Sequence, residues 1–206
     1  MGVDGLYRED GDDLPMRFEL FSVAQLEQHA KALAQWHQVN PDRGQDRLLP
    51  RLAANEKILL SAYKLVAAAV EQKRPISPAS EWLLDNFYLI EEQIRTARQH
   101  MPTGYSRELP WLVNGPSAGY PRVYDLALEL ISHVDGRINV VSLQSFISAY
   151  QQERHLKLGE LWAFPIMIRQ ALIENLRRVA ARIAGGTRDR GSATQWAVRF
   201  IDSVEK

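Results

Sequence analysis

The segment WLLDNFYLIEEQIR (residues 82–95) decides the fold class, because its apolar residues recur with the period of an α-helix. Together with the residues that follow, one narrow stripe of a helical wheel collects Leu83, Phe87, Ile90, Ile94, Ala97 and Met101. Ser77 and Pro78 are a suitable N-cap and first residue for this helix, and Pro102 ends it. The pattern predicts a long helix that packs one face into a core.

Four polar residues of the same segment raise the question of whether it is catalytic. Asp85 and Glu92 fall on the solvent side of the wheel, about 10 Å apart along the helix axis. This separation indicates surface carboxylates rather than an acid/base pair. Asn86 and Glu91 instead flank the apolar stripe, and we expect them to belong to a partly buried structural polar network.

The rest of the chain also has the helical period, and no segment alternates convincingly with a period of two. We therefore predict an all-α helical bundle of about six to seven helices, with one long irregular loop near residues 102–120. Residues 103–120 of that loop contain three glycines and two prolines. The predicted organisation is a flexible acidic tail at 1–15 and a single all-helical domain at 16–184. A linker and a short C-terminal helix follow at 185–206, because Gly185 and Gly186 should end the preceding helix.

The long helix predicted near residues 158–184 contains an arginine among apolar residues. Two adjacent apolar stripes of this helix lie on either side of Arg169. A buried guanidinium needs an acceptor, since an unpaired buried charge costs several kcal/mol. A structural bridge from Arg169 to Glu91 or Glu160 satisfies this need, and an anion or phosphate site is the alternative interpretation.

The loop and the start of the next helix are the most site-like part of the sequence. Six side chains combine aromatic faces with guanidinium groups: Tyr105, Arg107, Trp111, Tyr120, Arg122 and Tyr124. Such a set suits glycan or phosphate contact, because rings stack on sugars while guanidinium groups bind oxygens. The alternative, which we favour, is that the aromatic residues and prolines pin the loop onto the bundle.

Composition excludes several classes of function. Equal numbers of basic and acidic residues, 25 of each, give no overall field for nucleic acid, so we expect no nucleic-acid partner. The longest apolar run, residues 161–168, is far shorter than the roughly 20 residues that a membrane span needs. The N-terminus has no apolar stretch of a secretory signal. These features predict a soluble chain with no transmembrane segment.

The sequence also lacks recognisable motifs for a metal or a cofactor. There is no cysteine, and the five histidines show no metal-ligand spacing, so we expect solvated or helix-edge histidines. Asp10 and Asp12 match the D-x-D pattern of nucleotide-sugar transferases, but they stand in the predicted tail without a nucleotide fold around them. We therefore predict no metal, no cofactor and no catalytic residue.

Several segments resemble the N-terminal region of bacterial cyclic β-1,2-glucan synthases, in the same order and at similar spacing. They are LFSVAQLEQHAKALAQWH (20–37), WLLDNFYLIEEQIR (82–95), YSRELPWLVNGPSAGYPRVYDLA (105–127) and LGELWAFPIMIRQALIENLRR (158–178). The resemblance runs from about residue 20 to residue 184. It implies a large, multi-domain inner-membrane enzyme that uses UDP-glucose. In that family this region precedes the glycosyltransferase module on the cytoplasmic side.

The resemblance implies a non-catalytic accessory domain, because the sequence stops before any glycosyltransferase, membrane or phosphorylase module of that family. We expect it to dock against or scaffold the downstream glycosyltransferase module of the same polypeptide, with glucan or UDP-glucose as further ligands. The expected location is cytoplasmic, at the cytoplasmic face of the inner membrane in the parent protein. The alternative is a freestanding glycan- or nucleotide-sugar-binding module that uses the loop at 103–124.

Overall fold

The computed structural model describes residues 20–134 and 138–204, with side chains described up to residue 189. Within these ranges the chain forms seven α-helices and one pair of two-residue strands, which confirms the predicted all-α bundle. The helices are α1 (Val23–Trp36), α2 (Leu48–Glu71), α3 (Pro78–Asp85), α4 (Phe87–Gln99), α5 (Arg122–His133), α6 (Val140–Glu153) and α7 (Leu158–Val204). The predicted tail at 1–15, with Asp10 and Asp12, lies outside the described residues.

The segment at 82–95 forms two helices rather than one. The break falls at Asn86, whose backbone N–H and side-chain amide both donate to the carbonyl of Trp82. An asparagine side chain that competes for a local carbonyl in this way disfavours regular helix. The continuous helix predicted here was therefore wrong at one residue. The predicted apolar stripe is nevertheless buried along its whole length, from Leu83 to Met101.

Helix α5 lies at the centre of the bundle, because eleven of its twelve residues are buried. A helix that is buried all round belongs in the interior of a domain, with other helices covering each face. Helix α7 packs against α5 and α2, while α1 packs against α6 and also contacts α5. The polar side chains of α5 therefore meet partners from several other helices.

The long loop between α4 and α5 is fastened to the segment that follows α1. It contains a 3-10 helix, Tyr105–Glu108, and the strand β2, Trp111–Leu112. This strand pairs antiparallel with β1, Val39–Asn40, with Val39 opposite Leu112. The sequence predicted no strands, because two-residue strands are too short to show a period of two. The strand pair holds the loop across the ends of α1 and α5.

A glycine in this loop provides a test of its packing. Gly115 has a φ of +78°, and a Cβ atom there would overlap the indole ring of Trp36. We expect Gly115→Ala to lower the free energy of unfolding by about 2 kcal/mol, because a left-handed backbone and a steric overlap are both penalised. Gly104 is the matched control, since its φ is +86° and a Cβ atom there would meet no neighbouring atom within 4 Å. Urea unfolding should show a smaller loss for Gly104→Ala, and equal losses would contradict the packing argument.

Helix α7 continues through Gly185 and Gly186 to Val204, so the helix end predicted at these glycines was wrong. Glycine costs about 1 kcal/mol relative to alanine in a helix, but it does not terminate one unless the chain turns there. The hydroxyl of Thr187 donates to the carbonyl of Ile183, 2.8 Å away, and so follows the helical turn. Among the described residues, no helix is long and apolar enough to cross a membrane.

Candidate functional site

One face of the buried helix α5 is lined by ionisable residues. Arg122, Asp125, Glu129 and His133 follow at spacings of three, four and four, which places them on one side of the helix. All four are buried. We call these four residues the α5 polar stripe. Each member needs a partner, because burial of an unpaired charge or polar group is costly.

Arg122 at the start of α5 pairs with Glu160 in the first turn of α7. The guanidinium donates to both carboxylate oxygens at 2.6 and 2.7 Å, and it also donates to the carbonyl of His155 at 2.8 Å. Glu160 accepts a further bond from the backbone N–H of Lys157. This bidentate ion pair is 5% and 0% exposed on its two side chains, and it fastens α7 to the centre of the bundle.

Asp125 begins a second buried group, in which three side chains form a chain of hydrogen bonds. The Nε2 atom of His37 lies 3.0 Å from Asp125, and its Nδ1 atom lies 3.0 Å from the hydroxyl of Tyr150. A carboxylate only accepts, so in the neutral ring Nε2 carries the proton and Nδ1 accepts from the tyrosine. Burial raises the pKa of the Tyr150 phenol, which keeps this donor protonated. The group connects α1, α5 and α6.

This second group has the residue types of a catalytic relay but not the accessibility. His37 and Asp125 have side chains that are 0% and 5% exposed, and Tyr150 is fully buried. A general base must come within hydrogen-bond distance of a substrate proton, directly or through one water. These side chains face one another inside the bundle, so the arrangement stabilises helix packing.

A third buried group surrounds Glu174 of α7. Arg51 donates two hydrogen bonds to its carboxylate at 2.8 and 2.5 Å, while Asn55 and Arg177 donate at 2.8 and 2.9 Å. Burial alone raises the pKa of Glu174, but the hydrogen bonds and charge of Arg51, with Arg177 and Asn55, lower it to about 2. Glu174 therefore stays ionised at neutral pH and joins α2 to α7.

The polar network predicted around Arg169 is different in the structure. Asn86 is half-buried and bonds to its own helix, whereas Glu91 is exposed. Arg169 is half-buried, and no ion pair among the described residues joins it to Glu91 or Glu160. Both predicted partners of Arg169 were therefore wrong, although Glu160 is a buried structural acid. Helical periodicity gave the face of each residue, but it could not show that Arg122 is closer to Glu160.

The six aromatic and arginine residues near the loop do not share one open surface. Arg122 and Tyr124 are only 4% and 3% exposed, because they belong to the central helix. Tyr105 and Tyr120 are half-buried and pack against the core. Arg107 is exposed. A ligand in solvent can therefore reach fewer of these side chains than the sequence suggested.

Local hydrogen bonds hold the loop in place. The carboxylate of Asp46 accepts from the backbone N–H of Gly104 and from the hydroxyl of Ser106, each at 2.7 Å. The indole of Trp111 donates to the carbonyl of Asp42 at 3.2 Å. These contacts favour the interpretation in which the loop is pinned onto the bundle, and they leave Arg107 projecting beside it.

The outer face of α7 is apolar at its N-terminal end. Trp162 is 75% exposed, Leu158 is 62% exposed and Leu172 is 39% exposed. With Pro165, which is also exposed, these residues lie on one face and extend for about 21 Å along the helix. We call these four residues the α7 outer stripe. Helical periodicity predicted two apolar stripes on this helix, but it could not show which part of them is left uncovered.

The fold and these sites define an all-α domain whose buried charges are paired with one another and whose last helix exposes an apolar stripe. No family model matches the chain. It is 39% identical over 148 residues to the cyclic beta-(1,2)-glucan synthase NdvB of Rhizobium meliloti (strain 1021). The match includes 71% of this chain and spans only 5% of the length of that relative. The chain is therefore related to a part of a cyclic β-1,2-glucan synthase, which confirms the resemblance seen in its sequence.

Proposed function

We propose that the chain is a non-catalytic accessory domain that docks against the glycosyltransferase module of a cyclic β-1,2-glucan synthase. The α7 outer stripe is the observation that carries this proposal. Support also comes from the relative, a glucan synthase of which the matched region is only 5%. A domain of this kind scaffolds the transferase at the cytoplasmic face of the inner membrane, and the transferase supplies the chemistry.

The α7 outer stripe has the properties of a protein-docking surface. Trp162 is the largest exposed side chain of the stripe, and tryptophan is enriched among the residues that dominate binding energy at interfaces. Exposed apolar residues that follow one helix face suit a groove or a second helix of a partner. The half-buried Arg169 lies between Pro165 and Leu172 on the same face, where it can bond to an acidic or carbonyl group of the partner.

The burial of the polar groups supports a non-catalytic role. The groups centred on Glu160, His37 and Glu174 lie largely inside the bundle, and in each of them donors from one segment meet acceptors on another. Their geometry explains how the helices are held together. Glu160, His37 and Glu174 are each at most 1% exposed, so these central side chains do not face solvent.

Binding between this chain and the separately purified glycosyltransferase module tests the proposal. We expect Trp162→Ala to weaken the calorimetric affinity by at least about tenfold, because a central tryptophan of an interface contributes about 2 kcal/mol or more. The matched control is Trp82→Ala, since Trp82 is an exposed tryptophan (51%) that lies on α3 and is not part of the stripe. Absence of binding by the unsubstituted chain, or equal effects of the two substitutions, would contradict docking through α7.

Glycan or nucleotide-sugar binding by the loop is the second candidate function. The exposed Arg107 favours it, because its guanidinium projects from a loop that also carries the half-buried rings of Tyr105 and Trp111. Calorimetry with UDP-glucose and with β-1,2-glucan oligosaccharides separates the two functions. The docking proposal expects no binding of either ligand by the isolated chain. Micromolar binding that disappears in Arg107→Ala would favour the second function.

A further inference from the structure

Two histidines and a glutamate converge where the first half of α1 meets the end of α5. The Nε2 atom of His29 lies 2.8 Å from Oε2 of Glu129, and the Nε2 atom of His133 lies 3.8 Å from the same oxygen. One ligand atom from each residue lies within 4.8 Å of the other two. This cluster comprises the last two members of the α5 polar stripe and one residue of α1. Neither the docking surface nor the loop makes use of it.

The distances within the cluster are close to those of a three-residue metal site and can reach them by side-chain rotation. Zinc bonds of about 2.0–2.2 Å in a tetrahedral arrangement place neighbouring ligand atoms roughly 3.3–3.6 Å apart. The measured distances of 2.8 and 3.8 Å lie on either side of this range. The three ligand atoms all lie within 4.8 Å of one another, so side-chain rotations that move the tips by up to about 1.5 Å would bring them into this range.

The backbone places these side chains as a built site rather than a chance meeting. Glu129 and His133 are one turn apart on α5, a spacing that directs both side chains to the same side of a helix. His29 reaches them from α1, although it precedes Glu129 by 100 residues in the sequence. All three side chains are largely shielded, with 14% of His29, 10% of Glu129 and 5% of His133 exposed.

An aromatic residue orders the two imidazole rings. The ring of Phe21 stacks on His133 with centroids 3.8 Å apart and meets the edge of His29 at 5.5 Å. The backbone N–H of Phe21 also donates to the carbonyl of His133 at 3.1 Å. Fixed ring orientation and an apolar surround are the features that tune ligands in metal sites.

We propose that His29, Glu129 and His133 bind a divalent zinc ion that joins α1 to α5. Two imidazoles and one carboxylate form a ligand set that zinc uses in proteins, with a fourth position for water or another donor. Imidazole ligands disfavour magnesium and calcium, which prefer oxygen. The ion would stabilise the packing of α1 on the buried central helix α5.

Metal titration of the 206-residue chain, first stripped with a chelator, tests this site. We expect one equivalent of cobalt(II) to produce the visible absorption of a tetrahedral site, and one equivalent of zinc(II) to remove it by displacement. Zinc in hundredfold excess over its Kd should also raise the Tm by roughly 5 °C or more. A chain that shows no cobalt absorption and no zinc-dependent rise in Tm would overturn the proposal.

Matched histidine variants show whether the ion lies at this cluster. His29→Gln and His133→Gln should each weaken zinc binding by at least about 100-fold, because even changes to groups that only hydrogen-bond to a metal ligand cost about 10–100-fold. His100→Gln is the control, since His100 is exposed at the end of α4. Far-UV circular dichroism at equal temperature verifies that each variant is folded. Zinc binding that all three variants retain would place the ion elsewhere and overturn the assignment.

Discussion

Replacement of Glu160 by leucine is expected to lower the free energy of unfolding by about 3–5 kcal/mol, because it leaves the Arg122 guanidinium buried without its carboxylate. Arg122 is only 4% exposed, so water cannot replace the two lost hydrogen bonds. The backbone N–H of Lys157 loses its acceptor as well. Urea unfolding followed by circular dichroism measures the loss as a lower midpoint with an unchanged slope.

A double substitution separates charge burial from packing. Arg122→Met combined with Glu160→Leu removes both charges, and we expect it to recover most of the lost stability. The control is the exposed pair of Arg43 and Glu108, whose side chains are both 68% exposed. Glu108→Gln should change the free energy of unfolding by less than about 1 kcal/mol. A double variant as unstable as Glu160→Leu would show that shape, and not the unpaired charge, dominates at this position.

The second large effect concerns the dependence of stability on pH. The pKa of Glu174 is lowered from 4.5 to about 2 in the folded chain, where Arg51 and Arg177 favour the carboxylate. Its stabilisation is therefore fully present above about pH 4.5 and is lost as the pH falls towards 2. At roughly 1.4 kcal/mol for each tenfold change in acidity, the lowered pKa corresponds to about 3 kcal/mol.

Glu174→Gln removes this titration. We expect the variant to be less stable than the unsubstituted chain by about 3 kcal/mol at pH 7, with the difference shrinking as the pH falls from 4.5 to 2. The control is Glu92→Gln, because Glu92 is exposed on α4. Urea unfolding at a series of pH values checks the prediction. A gap between the two curves that stays constant across this window would exclude Glu174 as the titrating group.

These two predictions concern contacts between helices, and helical periodicity in the sequence did not reveal them. Glu160 was expected to form an ion pair with Arg169, but it pairs with Arg122, which is 38 residues away in the sequence. The helical spacing of Arg122, Asp125, Glu129 and His133 was a signal for one shared face that our prediction did not use. A polar stripe of this kind on a buried helix predicts that other helices supply charged or hydrogen-bonding partners. It does not show which helices supply them.

The sequence by itself determined the local properties of this protein. Helical periodicity indicated the all-α class and the buried stripe from Leu83 to Met101, and Ser77 marked the start of α3, where its side chain accepts a hydrogen bond from the backbone of Ser80. Four segments carried the relationship to cyclic β-1,2-glucan synthases. The helical signals can be recognised in the sequence because they depend on neighbours within one or two helical turns.

Only the tertiary structure decided which faces are covered and which charges meet. It buried His37 beside Asp125, 88 residues away, and brought His29 to Glu129 across 100 residues. It also left Trp162 exposed on a helix whose other apolar face is buried. The physical reason is that periodicity fixes the direction of each side chain relative to its own helix. The partner of that side chain depends on how whole helices pack, which minimises the exposed apolar area and the unpaired buried charge of the entire chain.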